Sequence, residues 1–183
     1  KEEFRIGIPV FTFKNIKAND TLDWLRNGIG KMLVYDLEQN KSISPYSEYI
    51  VKTSDKIRQA SLFHDFYIDG AFEKNGETIS ITVYKRKANN AKILKQKTFT
   101  GEDLLNLIDE ISFYVTEQAG FVESNTQRYI DLPLKEFMSA SEEAVREFIE
   151  RDFDAAIGLD STFALAYLEK AKQNYRWNTG QLE

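Results

Sequence analysis

Asn75-Gly76 stands between two strand-like runs, residues 63–72 and 78–84, and no other feature constrains the chain as much. An Asn-Gly step accepts the positive backbone angles of a two-residue hairpin turn, so the runs are expected to pair antiparallel. Once that ladder exists, the other segments must extend it or cover it. Residues 4–13 alternate through Ile6, Ile8 and Val10 and read as a strand. Pro9 has no backbone donor, which places this strand at an edge or puts a bulge there. A polar loop follows, and Asp20 or Thr21 can cap a helix whose apolar positions Leu22, Leu25, Ile29, Met32, Leu33 and Leu37 share one face. Gly28 and Gly30 inside it each cost about 1 kcal/mol of helix propensity, so close packing against the sheet is the expected reason for them.

Residues 42–44 read as a short strand ended by Pro45, and residues 48–62 as a helix with a weak apolar face. A second hairpin turns at residues 88–91 and returns through Ile93, Leu94 and Phe99. Residues 103–118 carry the stripe Leu104, Leu107, Ile108, Ile111 and Val115, with Gly120 placed as a stop. The order β-α-β-α-β-β-β-α predicts an α+β fold, a mixed sheet with helices packed on it. The pattern then changes. Residues 123–133 are polar and end in Pro133, so a linker is expected between a domain over 1–122 and a segment over 134–183. That segment reads as helix throughout: 134–149, 153–159 and 163–177, with Gly180 as the last stop.

Composition narrows the chemistry. With 42% hydrophobic and 13% aromatic residues the 183-residue chain can bury a sizeable core, and its net charge of -5 argues against nucleic acid as a main ligand. Cysteine is absent, which removes disulfides, thiolate nucleophiles and cysteine-based zinc sites together. No run approaches the roughly 20 apolar residues of a membrane span, and no signal-peptide pattern is present.

Two stretches resemble known families. Val10 and Phe13-Lys14-Asn15, then Trp24-Leu25-x-x-Gly28-Ile29-x-x-Met32-Leu33 ending at Asp36-Leu37, then Phe66-Tyr67-Ile68-x-Gly70 before Asn75-Gly76, and finally Leu107-Ile108-Asp109-Glu110-Ile111 occur in this order. Together they resemble the amino-terminal domain of TolB, in the broad version related to the flagellar protein FlgO. The resemblance covers roughly residues 4–120. The run from Phe153 through Ile157 and that from Leu159 through Tyr167 resemble the end of one tetratricopeptide (TPR) repeat and the opening of the next. Ser161 stands where that pattern usually has proline. At most one and a half repeats are present where about three are needed for independent stability, so a truncated array, or helices docked onto the α/β domain, is expected. The resemblance implies a protein-binding role in the bacterial envelope, periplasmic or in the signalling part of a membrane-anchored regulator, and it supplies no catalytic residue.

Candidate chemistry is sparse. His64 is the single histidine, and beside Asp65 at a strand start it reads as structural. Gly28-Ile29-Gly30-Lys31 lies within a helix and lacks phosphate-loop spacing. Asp103 suits a helix N-terminus, and Asp109 and Glu110 read as solvent-facing. Lys85, Arg86, Lys87, Lys92, Lys95 and Lys97 surround one hairpin. They can attract an anionic ligand or blunt an edge strand against unwanted pairing, and the second use is favoured. Phe163 is assigned to the core, while Tyr175 and Trp177 are the candidate partner surface. The expected function is a non-catalytic scaffold binding a protein or peptide, with no cofactor and no metal. The alternative is an ectodomain that senses a small ligand.

Overall fold

The computed structural model describes residues 6–17, 20–47, 64–120 and 132–179, excluding the side chains of 20, 46, 47 and 176–179. The helix expected over 48–62 lies outside the described residues. The chain divides into two compact units, Lys1–Pro133 and Leu134–Glu183.

The first unit runs β1 (Ile6–Asn15), a 3-10 turn (Asp20–Leu22), α1 (Leu25–Leu37), β2 (Ile43–Ser47), β3 (Phe66–Asn75), β4 (Thr78–Lys87), β5 (Ile93–Gly101) and α2 (Leu104–Gln118). The sheet order is β2-β1-β3-β4-β5. β1 pairs parallel with β2 and with β3, whereas β3-β4 and β4-β5 are antiparallel. The fold is therefore α+β with a mixed five-stranded sheet. α1 packs on β1 and β2, α2 packs on β4 and β5, and the two helices touch each other. Beneath them lie Ile8, Val10 and Phe13 of β1, Ile68 and Phe72 of β3, and Ile81 and Val83 of β4, each almost wholly buried. Removing that apolar surface from water, at about 25 cal/mol per Å², is the main force holding the layers together.

Two strand details depart from the sequence reading. Of the two alternatives Pro9 left, the edge fails, since β2 flanks β1 on one side and β3 on the other, and the bulge is met just past it. Pro9 is tolerated because the β3 ladder begins only at Val10. Just beyond it, Val10 faces Ile68 and Phe13 faces Gly70, so three steps on β1 match two on β3. That extra residue is a β-bulge. It turns both Val10 and Phe13 toward the helices, which strict alternation forbids. β2, for its part, runs through Pro45 rather than ending there. As the outermost strand it has, among the described residues, no second neighbour to need the missing N–H.

The glycines mark close approaches. A Cβ on Gly30 would lie 3.1 Å from the Phe11 carbonyl oxygen, so this glycine lets α1 settle onto β1. Asn75 pairs with Thr78, which makes Gly76-Glu77 the two-residue loop of the first hairpin. Only Gly76 has a positive φ, +59°, and a single positive angle at the first loop position belongs to a type II′ turn. Asp103 caps α2 by accepting from the Asn106 N–H at 3.1 Å, and Gly120 closes it at φ +88°.

The second unit holds a 3-10 turn (Leu134–Glu136), α3 (Glu142–Glu150), α4 (Phe153–Leu159) and α5 (Ala164–Thr179). The helix expected over 134–149 is broken. Ser141 caps α3 afresh by accepting from the Ala144 N–H at 3.3 Å, and a capping serine ends continuity with what precedes it. Asp152 caps α4 through the Ala155 N–H at 2.9 Å. The Phe148 ring lies 5.6 Å from Phe153 and 4.9 Å from Phe163, centroid to centroid, tying α3 to α4 and to the start of α5. The turn between α4 and α5 is built by hydrogen bonds. The Asp160 carboxylate accepts from the Thr162 N–H at 2.9 Å and from its hydroxyl at 2.6 Å.

Candidate interaction surfaces

On α5, Phe163, just before the helix, and Ala166 are buried, and they define the packed side. Ala164, Leu168, Ala171 and Tyr175 recur at i, i+4, i+7 and i+11, so they line a different face of the same helix. All four are exposed; Leu168 is 50% and Tyr175 71% accessible. Tyr167, 47% accessible, borders the stripe. α5 therefore presents two apolar faces and buries one. Of the two candidate partner-surface residues, Tyr175 stands on this exposed face, and the Trp177 side chain lies outside the described residues. Leu168 and Ala171 were missed by sequence reasoning although their spacing reveals them.

The basic cluster divides between the two sides of the sheet, because neighbouring strand residues point to opposite faces. On the helix-covered side, Lys85 pairs directly with Lys95 and Val83 with Lys97. The Lys85 ammonium donates to the Gln118 carbonyl oxygen at 2.5 Å and lies 4.1 Å from the Phe66 ring centroid. This carbonyl belongs to the last turn of α2, where the helix dipole favours a cation. Burial, and then the neighbouring Lys95 charge, push the Lys85 pKa below its ordinary value. The Lys97 ammonium sits 4.7 Å from the Phe99 centroid and 5.3 Å from that of Tyr114. Lys87 and Lys92 are exposed near the hairpin turn.

Arg86 turns the other way. Its Nε donates to both Asp69 carboxylate oxygens, at 2.7 and 2.9 Å, and its Nη1 donates to the Ala91 carbonyl oxygen at 3.2 Å. The guanidinium also lies 4.7 Å from the Tyr84 ring centroid. Beside this pair, Phe11, Tyr67 and Ala88 form a second apolar cluster, with the two rings 4.7 Å apart. Burial raises the Asp69 pKa, and the Arg86 guanidinium beside it only partly offsets that. Burial raises Tyr67 as well, helped by the Asp69 charge. Asp69 was not singled out from the sequence, since seventeen residues separate it from Arg86 and only the strand register joins them. The pair locks the hairpin and occupies the one arginine of the basic cluster.

The remaining candidates fall into structural places. His64 stands against Gly7, where an added Cβ would come within 2.5 Å of its ring. Asp103 is the cap of α2; Glu110 is exposed and Asp109 half-buried. Among the described residues, no three His, Asp or Glu side chains converge as a metal site, and no helix is long and apolar enough to cross a membrane.

No family model matches the chain, and no curated protein matches it. Solved structures do share part of its outline. The PelC dodecamer from Paraburkholderia phytofirmans matches at 11% identity over 60% of this chain and 81% of its own, with a TM-score of 0.40. TolB from Acinetobacter baumannii matches at 12% identity over 66% of this chain and 30% of its own, at 0.41. Lipoprotein GNA1162 from Neisseria meningitidis matches at 13% identity over 62% of this chain and 96% of its own, at 0.37. At these identities and scores the matches transfer neither a role nor a site to this chain.

Proposed function

We propose that this chain is a non-catalytic protein-protein interaction module of a bacterial envelope or membrane-anchored regulatory protein. The α/β unit is its stable base, and the helical unit, a partial TPR-type array, is its adaptor. The placement in the envelope rests on the sequence resemblance to the TolB amino-terminal domain. The single observation that supports binding is the open apolar face of α5, where Leu168 and Tyr175 are 50% and 71% accessible. A seam spaced i, i+4, i+7, i+11 matches the packing surface of a second helix. The partner is therefore an amphipathic helix, held by shape and apolar burial rather than by charge.

Leu168→Glu tests this. Glutamate is a good helix former and the site is exposed, so the fold is expected to stand while the seam gains a charge. Capture of partner proteins from native envelope extracts should fall about tenfold, with thermal stability within about 0.5 kcal/mol of the parent. Undiminished capture sinks the reading. A second reading, a small-ligand sensor, draws on the half-buried Asp69–Arg86 pair beside Phe11, Tyr67 and Tyr84. Ligand-dependent chemical shifts at those residues, with none on α5, would favour it.

A further inference from the structure

β5 closes the sheet, and among the described residues no strand pairs with its outer edge. Along an antiparallel edge, alternate backbone N–H and C=O groups point away from the ladder and remain able to pair with another strand. Natural edges of this length are usually short, covered or kinked. β5 spans Ile93–Gly101, and every residue from Ile93 to Thr98 is exposed. Its one irregularity lies near Leu94, where the register slips between the Lys85–Lys95 and Arg86–Ile93 pairs. From Lys95 to Gly101 the pairing is regular, which leaves seven residues of straight edge.

The two sides of that edge differ in chemistry. On the helix-covered side stand Lys95, Lys97 and then Phe99; on the other stand Gln96, Thr98 and Thr100. The threonines already join a hydroxyl ladder, Thr82–Thr98 at 2.9 Å and Ser80–Thr100 at 3.3 Å. Lys85 and Lys95 face each other directly across the ladder, an arrangement of like charges that costs stability. This cluster of lysines sits on a chain whose net charge is -5, so it stands out against an acidic background.

We propose that the β5 edge is a strand-addition site for an extended acidic peptide segment of a partner protein. The added strand places two carboxylates, at i and i+2, beside Lys95 and Lys97, an apolar residue beside Phe99, and Thr or Ser toward Thr98 and Thr100. Its backbone supplies the affinity and its charges set the partner and the register. A second copy of this chain is disfavoured at the same edge. Antiparallel pairing of two β5 strands brings the lysines of one copy toward those of the other. The site is separate from the α5 seam and lies in the other unit, so either can fail without the other.

The test uses the full chain and three synthetic nine-residue peptides. The first alternates Thr with Glu, Glu and Val at successive inward positions; the second replaces both Glu by Lys; the third is the Glu peptide N-methylated at alternate backbone amides. Binding is read by amide chemical shifts. The Glu peptide is expected to shift residues of β5 selectively, and to bind about tenfold more tightly than the Lys peptide at low salt. The N-methylated peptide should not bind. Lys95→Glu with Lys97→Glu should invert the preference, and Lys95→Gln with Lys97→Gln, milder toward the Phe99 packing, should abolish it. Equal binding of the Glu and Lys peptides overturns the proposal, as does shift change confined to other elements. Undiminished binding of the N-methylated peptide, or equal competition by a short RNA oligonucleotide or by anionic-lipid vesicles, also overturns it by reducing the edge to an unspecific anion patch. No binding of the Glu peptide at millimolar concentration overturns it outright.

Discussion

The two units solve the same problem with unequal means. In the α/β unit, α1 and α2 lie side by side on one face of a five-stranded sheet, and Phe13, Phe72, Ile8, Ile29, Ile68 and Ile81 disappear between the layers. In the helical unit, three helices share a core of Phe148, Phe153, Phe163 and small neighbours such as Ala144, Ala156 and Ala166. Its longest helix keeps a second apolar face exposed. A fragment of about 50 residues buries a smaller fraction of its surface than one of 130. The difference teaches where each kind of job belongs. Apolar burial is concentrated between the sheet and its helices, and the exposed apolar face is on α5.

Core truncation tests that contrast most severely. Phe72→Ala and Phe163→Ala should each cost about 3–5 kcal/mol. In the larger unit that loss is expected to leave a weakened but folded sheet. In the smaller one it is expected to exceed the available stability, so amide protection along α4 and α5 should vanish while that of β3 and β4 persists. Hydrogen exchange followed residue by residue reads both. Loss of sheet protection in the Phe163→Ala protein would mean that the units do not hold their stability separately.

One substitution, made twice, should change sign between the units. A Cβ on Gly70 would collide with the Phe13 ring and with the Thr82 carbonyl oxygen, and the carbonyl is backbone that cannot swing aside. Gly70→Ala is therefore expected to cost about 1–3 kcal/mol, the range of core overpacking. Gly158 lies in α4 with nothing within 4 Å of its added Cβ. There the same change should stabilise by about 0.5–1 kcal/mol through helix propensity. Urea midpoints for the two proteins check it. Two shifts of the same sign would break the contrast between a tightly and a loosely packed unit.

How much of this the sequence discloses depends on whether the relevant force is local. The Asn75-Gly76 hairpin, the stripe and stop of α2 and the α+β class were all legible, because turn chemistry and apolar period act within a few residues. The interior place of β1 was not legible. Pro9 argued for an edge or a bulge; the bulge is there, just past it between Val10 and Phe13, but only the three-dimensional ladder shows that β1 is interior and that β3 begins pairing one residue later. The split of the basic cluster was available in principle. Lys85, Arg86 and Lys87 are consecutive on a strand and must alternate, yet reading them as one patch ignored that geometry. The Asp69–Arg86 pair had no local signal at all.

A smaller gain is expected at the end of α3. Arg151 adopts φ +71°, with its N–H on the Phe148 carbonyl at 3.1 Å and that of Asp152 on Glu147 at 2.9 Å, the double closure of a Schellman motif. A side chain is strained in that left-handed position, so Arg151→Gly should stabilise the helical unit by about 1 kcal/mol. The α/β unit has its counterpart at Ala91, φ +57°, and Ala91→Gly should act alike there. Thermal melts of the two variants measure both, and a loss of stability at either would mean that the residual side-chain contacts outweigh the strain.

The subtlest contrast is between two aspartates whose pKa values are displaced in opposite directions. Hydrogen bonds from Ser139 and then from Thr162 hold the Asp160 carboxyl below its ordinary 3.8. A depressed folded pKa means that the unfolded chain takes up the proton first. The stability Asp160 confers is thus fully present above about 3.8 and drains away as pH falls through the folded value. Burial raises Asp69 above 3.8, so its contribution has the opposite sense, present below 3.8 and lost as pH rises through the folded value. Between about pH 6 and about pH 2.5, exchange protection at Phe163 should therefore fall more than protection at Ile81. Asp160→Asn keeps an acceptor for the Thr162 N–H and should flatten the first response, while Asp69→Asn should remove the acid relief in the sheet. If Asp160→Asn leaves the acid sensitivity of Phe163 unchanged, the turn before α5 does not depend on that charge, and the hydrogen bonds of Asp160 matter only as those of a neutral cap.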